Sequence, residues 1–177
     1  MQPTIANIIS SLSDLDLADG LACAAENMYG YEELMQWSSA IPEQHRVVHF
    51  LVTTIGFAGC NGYVEFLMMD CHHIALPASF RAIGLPDLAD IVDLMIEPAL
   101  ESKSPGDEDA LERHFGGWDP FSEWVHQFEG KLFKASDRIV EAIAAYCRAN
   151  QASFESLLPV LRCTRAYKAH FAPDRAC

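Results

Sequence analysis

The stretch Pro42-Glu-Gln-His-Arg-Val-Val-His-Phe-Leu-Val-Thr-Thr-Ile-Gly56 decides the fold class. Its β-branched members Val47, Val48, Val52, Thr53, Thr54 and Ile55 suit a strand. Three features favour a helix instead. The apolar stretch is too long for a typical strand, no turn signal interrupts it before Gly56, and Pro42 followed by Glu43 reads as a helical first turn. With this segment helical, no strand alternation competes elsewhere. The predicted fold is all-α, a single compact domain of about eight to ten helices, several of them short.

Toward the N-terminus, Thr4 to Leu12 is a short amphipathic opening. Ser13 is a candidate N-cap, with Asp14 and Asp16 in the first turn where the helix dipole favours acids. Leu15, Leu17, Leu21, Ala24, Ala25 and Met28 then run at helical spacing to Gly30, and Tyr31 to Trp37 adds a turn or two. Toward the C-terminus, Asn61-Gly62 signals a turn and Tyr63 to Met69 a short helix. Pro77 to Ile83 is stopped by Gly84, and Pro86 opens a helix that Pro98 is expected to kink or end. A loop at Ser102 to Gly106, a short acidic helix from Asp107 to Phe115 and a break at Gly116-Gly117 follow. A helix from Asp119 has Gly130 as its expected stop, and Ser136-Asp137 caps another running to Arg148. Phe154 to Leu158 and Val160 to Phe171 complete the prediction.

Half of the 177 residues are apolar and 21% are charged, which suffices for a folded core and excludes global disorder. The net charge is −13. Residues 1–130 hold 21 acids and 4 bases, a net −17, whereas 131–177 hold 4 acids and 8 bases, a net +4. We therefore expect an acidic helical domain over 1–157 and a basic C-terminal helical segment over 158–177. An acidic surface repels phosphate, so direct nucleic-acid binding is not expected. The first Lys or Arg is Arg46, which leaves no charged export-signal start, and the apolar run Val47 to Cys60 is short of the ~20 residues of a span. Six irregularly spaced cysteines without a C-x-x-C pair suit reduced, mostly buried thiols, and a cytoplasmic location is expected.

The most informative helix begins at Asp87. With Asp90 as zero and about 100° per residue, Asp87, Asp93, Glu97 and Glu101 all fall within about 60° of it, provided the helix survives Pro98. Leu88, Ile91, Val92, Met95 and Ile96 occupy the opposite side. The carboxylates repeat every turn, about 5.4 Å, of the order of the phosphate spacing along a nucleic-acid strand. No Lys or Arg on this helix offsets their repulsion. An ordinary solvated face has the same pattern, so what singles this stripe out is its lack of bases. Asp107, Glu108, Asp109 and Glu112 form a second acidic group, which a helix N-terminus also explains.

No nucleophile elbow, phosphate-cradling glycine loop or catalytic-cysteine signature is present, so no catalytic residue and no cofactor are predicted. His45 and His49, at i,i+4, can share a helix face, and His72 lies beside Cys71; these are the candidate metal ligands. The H-E-x-x-H arrangement is missing. Trp118, Phe121, Trp124, Phe128 and Phe133 are expected in the core.

Asn61-Gly62 after a long helix, then Tyr63-Val-Glu-Phe-Leu-Met-Met-Asp70, Pro77-Ala-Ser-Phe-Arg-Ala-Ile-Gly84 and Leu88-Ala-Asp-Ile-Val92, resembles the core signature of a family of small bacterial all-helical proteins. Most of that family is of unknown function, and it includes a DNA-mimic protein. The resemblance covers about residues 40–157 and takes in Asn150 to Phe154; Tyr63 stands where the family motif has a second glycine, and Phe66 where it has a glutamine. It implies a helical, dimeric protein that presents carboxylates in place of phosphates to a DNA-binding regulator. The expected partner is thus a basic DNA-binding protein, met by Asp87, Asp90, Asp93, Glu97, Glu101, Asp107, Glu108 and Asp109. Two alternatives stay open: a metal-dependent enzyme using His45, His49 and His72 with nearby acids, and a structural or regulatory helical dimer.

Overall fold

In the computed structural model, residues 3–69, 71–101 and 108–171 are described, and they are all-α, with no strand among them. The helices are α1 (Ile5–Ser11), α2 (Asp14–Tyr29), α3 (Tyr31–Met35), α4 (Glu43–Leu67), α5 (Ala75–Ala82), α6 (Pro86–Glu101), α7 (Glu108–Phe115), α8 (Trp118–Lys134), α9 (Ser136–Ala149), α10 (Leu158–Leu161) and α11 (Arg165–Phe171), with a 3₁₀ turn at Gln151–Leu157. They form two compact units, one of residues 1–52 with 138–177 and one of residues 53–137. The loop expected at Ser102 to Gly106 lies outside the described residues.

The deciding segment is helical. Val47 to Leu51 are buried on every side and Thr54 and Ala58 continue the buried face at a helical repeat, so burial in a helical core overrides the β preference of the branched side chains. The helix extends well beyond the apolar run from which a span looked too short, and α4 is long and apolar enough to cross a membrane. Of its most apolar window, 44% is buried within the protein. At Gly62 the backbone turns to φ 85°, ψ 162°, and the helix resumes on a new axis at Tyr63, as the Asn61-Gly62 pair predicts.

In the first unit, Ser13 caps α2 by accepting the Asp16 N–H at 3.2 Å. Gly30 ends that helix at φ 89°. α10 and α11 lie against α2, and α11 carries Arg165 and Lys168 of the basic C-terminal segment. Arg148 of α9 pairs with Asp14 at 2.6 Å. Val160 to Phe171 is two helices instead of one, because Thr164 accepts the Tyr167 N–H at 3.3 Å and starts α11 afresh.

In the second unit, α5 and α6 form a tight hairpin. Gly84, at φ 81°, donates its N–H to the Arg81 carbonyl (3.1 Å), and Leu85 donates to the Phe80 carbonyl (2.9 Å), the paired bonds of a Schellman ending. Leu85 is buried, and Pro86 then opens α6. α6 does not end at Pro98. The carbonyl deprived of a partner there is that of Leu94, a half-exposed residue on the solvent side where water can satisfy it. Gly130 does not stop α8 either; Phe128, Glu129 and Leu132 are buried around it and hold the helix together.

Five described cysteines are free thiols. Only Cys71 and Cys147 are buried, while Cys23, Cys60 and Cys163 are exposed, against the expectation of mostly buried thiols. Phe121 and Phe128 are core residues; Trp118 and Trp124 are half-buried, and Phe133 is exposed.

Candidate functional site

The buried arc of α6 comprises Leu88, Ala89, Val92, Met95 and Ile96, close to the side that spacing predicts. Asp87, Asp90 and Glu97 are exposed on the opposite side and Asp93 is half-exposed. The α6 backbone continues past Pro98 to Glu101, whose side chain lies outside the description. Asp107 and the Glu108 side chain also lie outside it, and Asp109 is exposed in the first turn of α7.

Two features of this face are missing from the sequence expectation. Arg81, in the last turn of α5, reaches across the hairpin to Asp90 at 3.1 Å and also bonds Asp93. Those carboxylates raise the Arg81 pKa, Asp93 foremost through its hydrogen bond. The repulsion that no base on α6 relieves is therefore relieved in part from the neighbouring helix, whose guanidinium offsets one charge of the row. The last-turn position of Arg81, one tight turn before Pro86, was the available signal.

The second feature is apolar. Leu94 lies about 40° from Asp90 on the helical wheel, inside the acidic arc, and is 53% exposed. Leu100 is 40% exposed, so the face that carries Asp93 and Glu97 also carries two exposed leucines. Helical spacing alone would have placed Leu94 there.

His45, His49 and His73 are committed to other contacts. His45 is fully buried; its Nε2–H donates to the Ser153 carbonyl at 2.7 Å, which leaves Nδ1 to accept the Tyr29 hydroxyl at 3.1 Å. Its ring stacks on Phe154, with centroids 5.4 Å apart. Burial lowers its pKa. His49, also buried, faces Glu26 at 3.2 Å, and burial lowers its pKa against the opposing pull of that carboxylate. His72 is half-buried, and the buried His73 donates Nε2–H to the Phe66 carbonyl at 3.1 Å. Among the described residues, no three His, Cys, Asp or Glu side chains converge in a group able to hold a metal ion.

Glu129 is a functional-looking carboxylate that pattern reading missed. It is 7% exposed, accepts the Tyr63 N–H at 2.6 Å and has His126 Nε2 at 3.3 Å. Its position explains it structurally: it caps the helix that restarts after Gly62. Burial, together with the Glu129 charge, pushes the Tyr63 phenol pKa upward.

No family model, curated protein or solved structure matches the chain.

Proposed function

We propose that this protein is a non-enzymatic acidic interaction protein whose α6 face occupies the basic, DNA-binding surface of a partner protein. The observation that carries the reading is the row of Asp87, Asp90, Asp93 and Glu97, presented turn after turn on one side of a helix whose other side is core. A carboxylate row of this kind offers charges at intervals similar to those of a phosphate strand. The acidic balance of residues 1–130 supports it, because a strongly negative body speeds encounter with a positive partner. In this reading Arg81 is a countercharge that lowers the field strength of the row where it pairs with Asp90 and Asp93.

The test is affinity capture with the wild-type protein and with Asp90→Lys/Asp93→Lys/Glu97→Lys. Basic DNA-binding proteins are expected on the wild type and absent from the variant. The same proteins on both would refute the assignment to α6. We also propose a cytoplasmic setting, from the six irregularly spaced cysteines without a C-x-x-C pair, and a dimeric state, as the family resemblance implies. Sedimentation at equilibrium checks the latter, and a monomer at micromolar concentration would contradict it.

A further inference from the structure

We propose that His126 and Glu129 are two ligands of a divalent transition-metal site of the zinc class, set beside the break in α4 at Gly62. The site is independent of the α6 face. The two side chains lie one turn apart on α8, with His126 Nε2 3.3 Å from Glu129 Oε2. Their other polar atoms are held by the backbone. His126 Nδ1 lies 2.6 Å from the Ser122 carbonyl, with the Ser122 hydroxyl at 3.1 Å. A carbonyl only accepts, so Nδ1 carries the proton and Nε2 of the neutral ring presents a lone pair. Glu129 Oε1 accepts the Tyr63 N–H at 2.6 Å. The imidazole lone pair therefore faces the second carboxylate oxygen, and a cation belongs between them.

Distance selects the cation. A proton shared as an imidazolium–carboxylate bond draws nitrogen and oxygen to about 2.7–2.9 Å. Two ligands of one tetrahedral zinc ion, each about 2.0–2.1 Å from it, stand about 3.3 Å apart. The separation found is the second of these. The supporting contacts agree with it. A ligating imidazole characteristically donates its other N–H to a backbone carbonyl or a carboxylate, and a ligating carboxylate is itself hydrogen-bonded. Ser122 supplies the first of these contacts and the Tyr63 N–H the second.

Burial supplies the driving force and exposure the access. Glu129 is 7% exposed, and a carboxylate so buried is costly unless a positive charge stands close to it. The His126 side chain is 60% exposed, so the remaining coordination positions open toward solvent and take water or a donor atom from a bound molecule. Two protein ligands hold an ion more loosely than the four of a closed structural site, which makes this an exchangeable site. Because Oε1 of the same carboxylate caps the helix that restarts at Tyr63, an ion on Oε2 also steadies that restart.

The experiment titrates zinc chloride into the full chain, measuring affinity by calorimetry and hydrogen exchange of the Tyr63 amide by NMR. Zinc at ten times its dissociation constant is expected to slow that exchange about tenfold. His126→Gln, a change at an exposed position, should abolish the slowing and leave the zinc-free melting temperature within about 2 °C of wild type. Cys60→Ser, which removes an exposed thiol close to Tyr63 in the chain, should keep the full effect. Exchange at Tyr63 that ignores zinc in the wild type would overturn the site and leave a proton as the cation between the two groups. Slowing that persists in His126→Gln, or disappears in Cys60→Ser, would overturn it by placing the ion on other ligands.

Discussion

Replacing Glu129 with alanine should be among the most damaging single changes at a polar residue of this protein. The carboxylate is buried and accepts the Tyr63 N–H at 2.6 Å, at the point where Gly62 has broken the helical ladder. Alanine leaves that N–H buried without its acceptor. The cost of an unpaired buried donor is about 1–3 kcal/mol, and the lost bond is charge-assisted, which puts the expected value at about 2–3 kcal/mol. The second contact, from the exposed His126 at 3.3 Å, adds little because it is screened by solvent. For a chain of this length the melting temperature should fall by roughly 5–10 °C. Glu129→Gln keeps an oxygen facing Tyr63 and should cost about 1 kcal/mol. Urea denaturation followed by circular dichroism measures both variants, and amide exchange at Tyr63 localises the effect. An alanine variant within about 0.5 kcal/mol of wild type, with the Tyr63 amide still protected, would refute the capping role.

Gly62→Ala should also destabilise, by about 1–3 kcal/mol, since its φ of 85° disfavours a side chain and the added Cβ would meet Glu129 Oε1 at 3.2 Å; a thermal melt equal to wild type would contradict this. Acid should weaken the fold through His45 and His49. Burial depresses both pKa values below the unfolded 6.5, so the unfolded state takes up protons first and stability is lost as pH falls below about 6.5. Each group contributes at most about 1.4 kcal/mol per pH unit, and a His45→Gln variant should show a shallower loss between pH 7 and 5 in urea titrations. Arg81→Gln should tighten binding to a basic partner by roughly two- to fivefold at low salt, because it removes the cation facing Asp90 and Asp93. Weaker binding would show instead that Arg81 matters more for positioning those carboxylates than for opposing the partner's charge.

The helices were legible because their punctuation is local. Ser13, Gly30, Pro42, Gly62, Gly84 and Pro86 act within one turn of themselves, and each marks an element boundary or break in the structure. Even the β-branched run at Val47 to Ile55 is helical as read, since length outweighs propensity when the segment is buried in a helical core. Where local rules misled, neighbours had intervened. Gly130 is carried through α8 by the buried residues around it, and Pro98 is tolerated where its missing donor faces solvent.

The candidate site was half legible for the same reason. The carboxylate row and its buried opposite face follow from the 3.6-residue period alone. Arg81 belongs to another helix, and only the tight Gly84-Leu85-Pro86 turn brings it to Asp90 and Asp93. Glu129 and Tyr63 are 66 residues apart, a separation over which no spacing rule operates. The i,i+4 histidines illustrate the converse. Their spacing is that of a ligand pair, but Ser153 and Tyr29 take up the ring nitrogens of His45 and Glu26 faces His49, so the pattern serves the core.

The central claim is that α6 competes with DNA for a partner's basic surface. The most direct measurement takes a captured DNA-binding partner and titrates duplex DNA into its complex with this protein at several salt concentrations. The account predicts mutually exclusive binding, an affinity that falls steeply with salt, and loss of the complex in Asp90→Lys/Asp93→Lys/Glu97→Lys. A ternary complex in which DNA, partner and this protein coexist, with affinity indifferent to those substitutions, would contradict it.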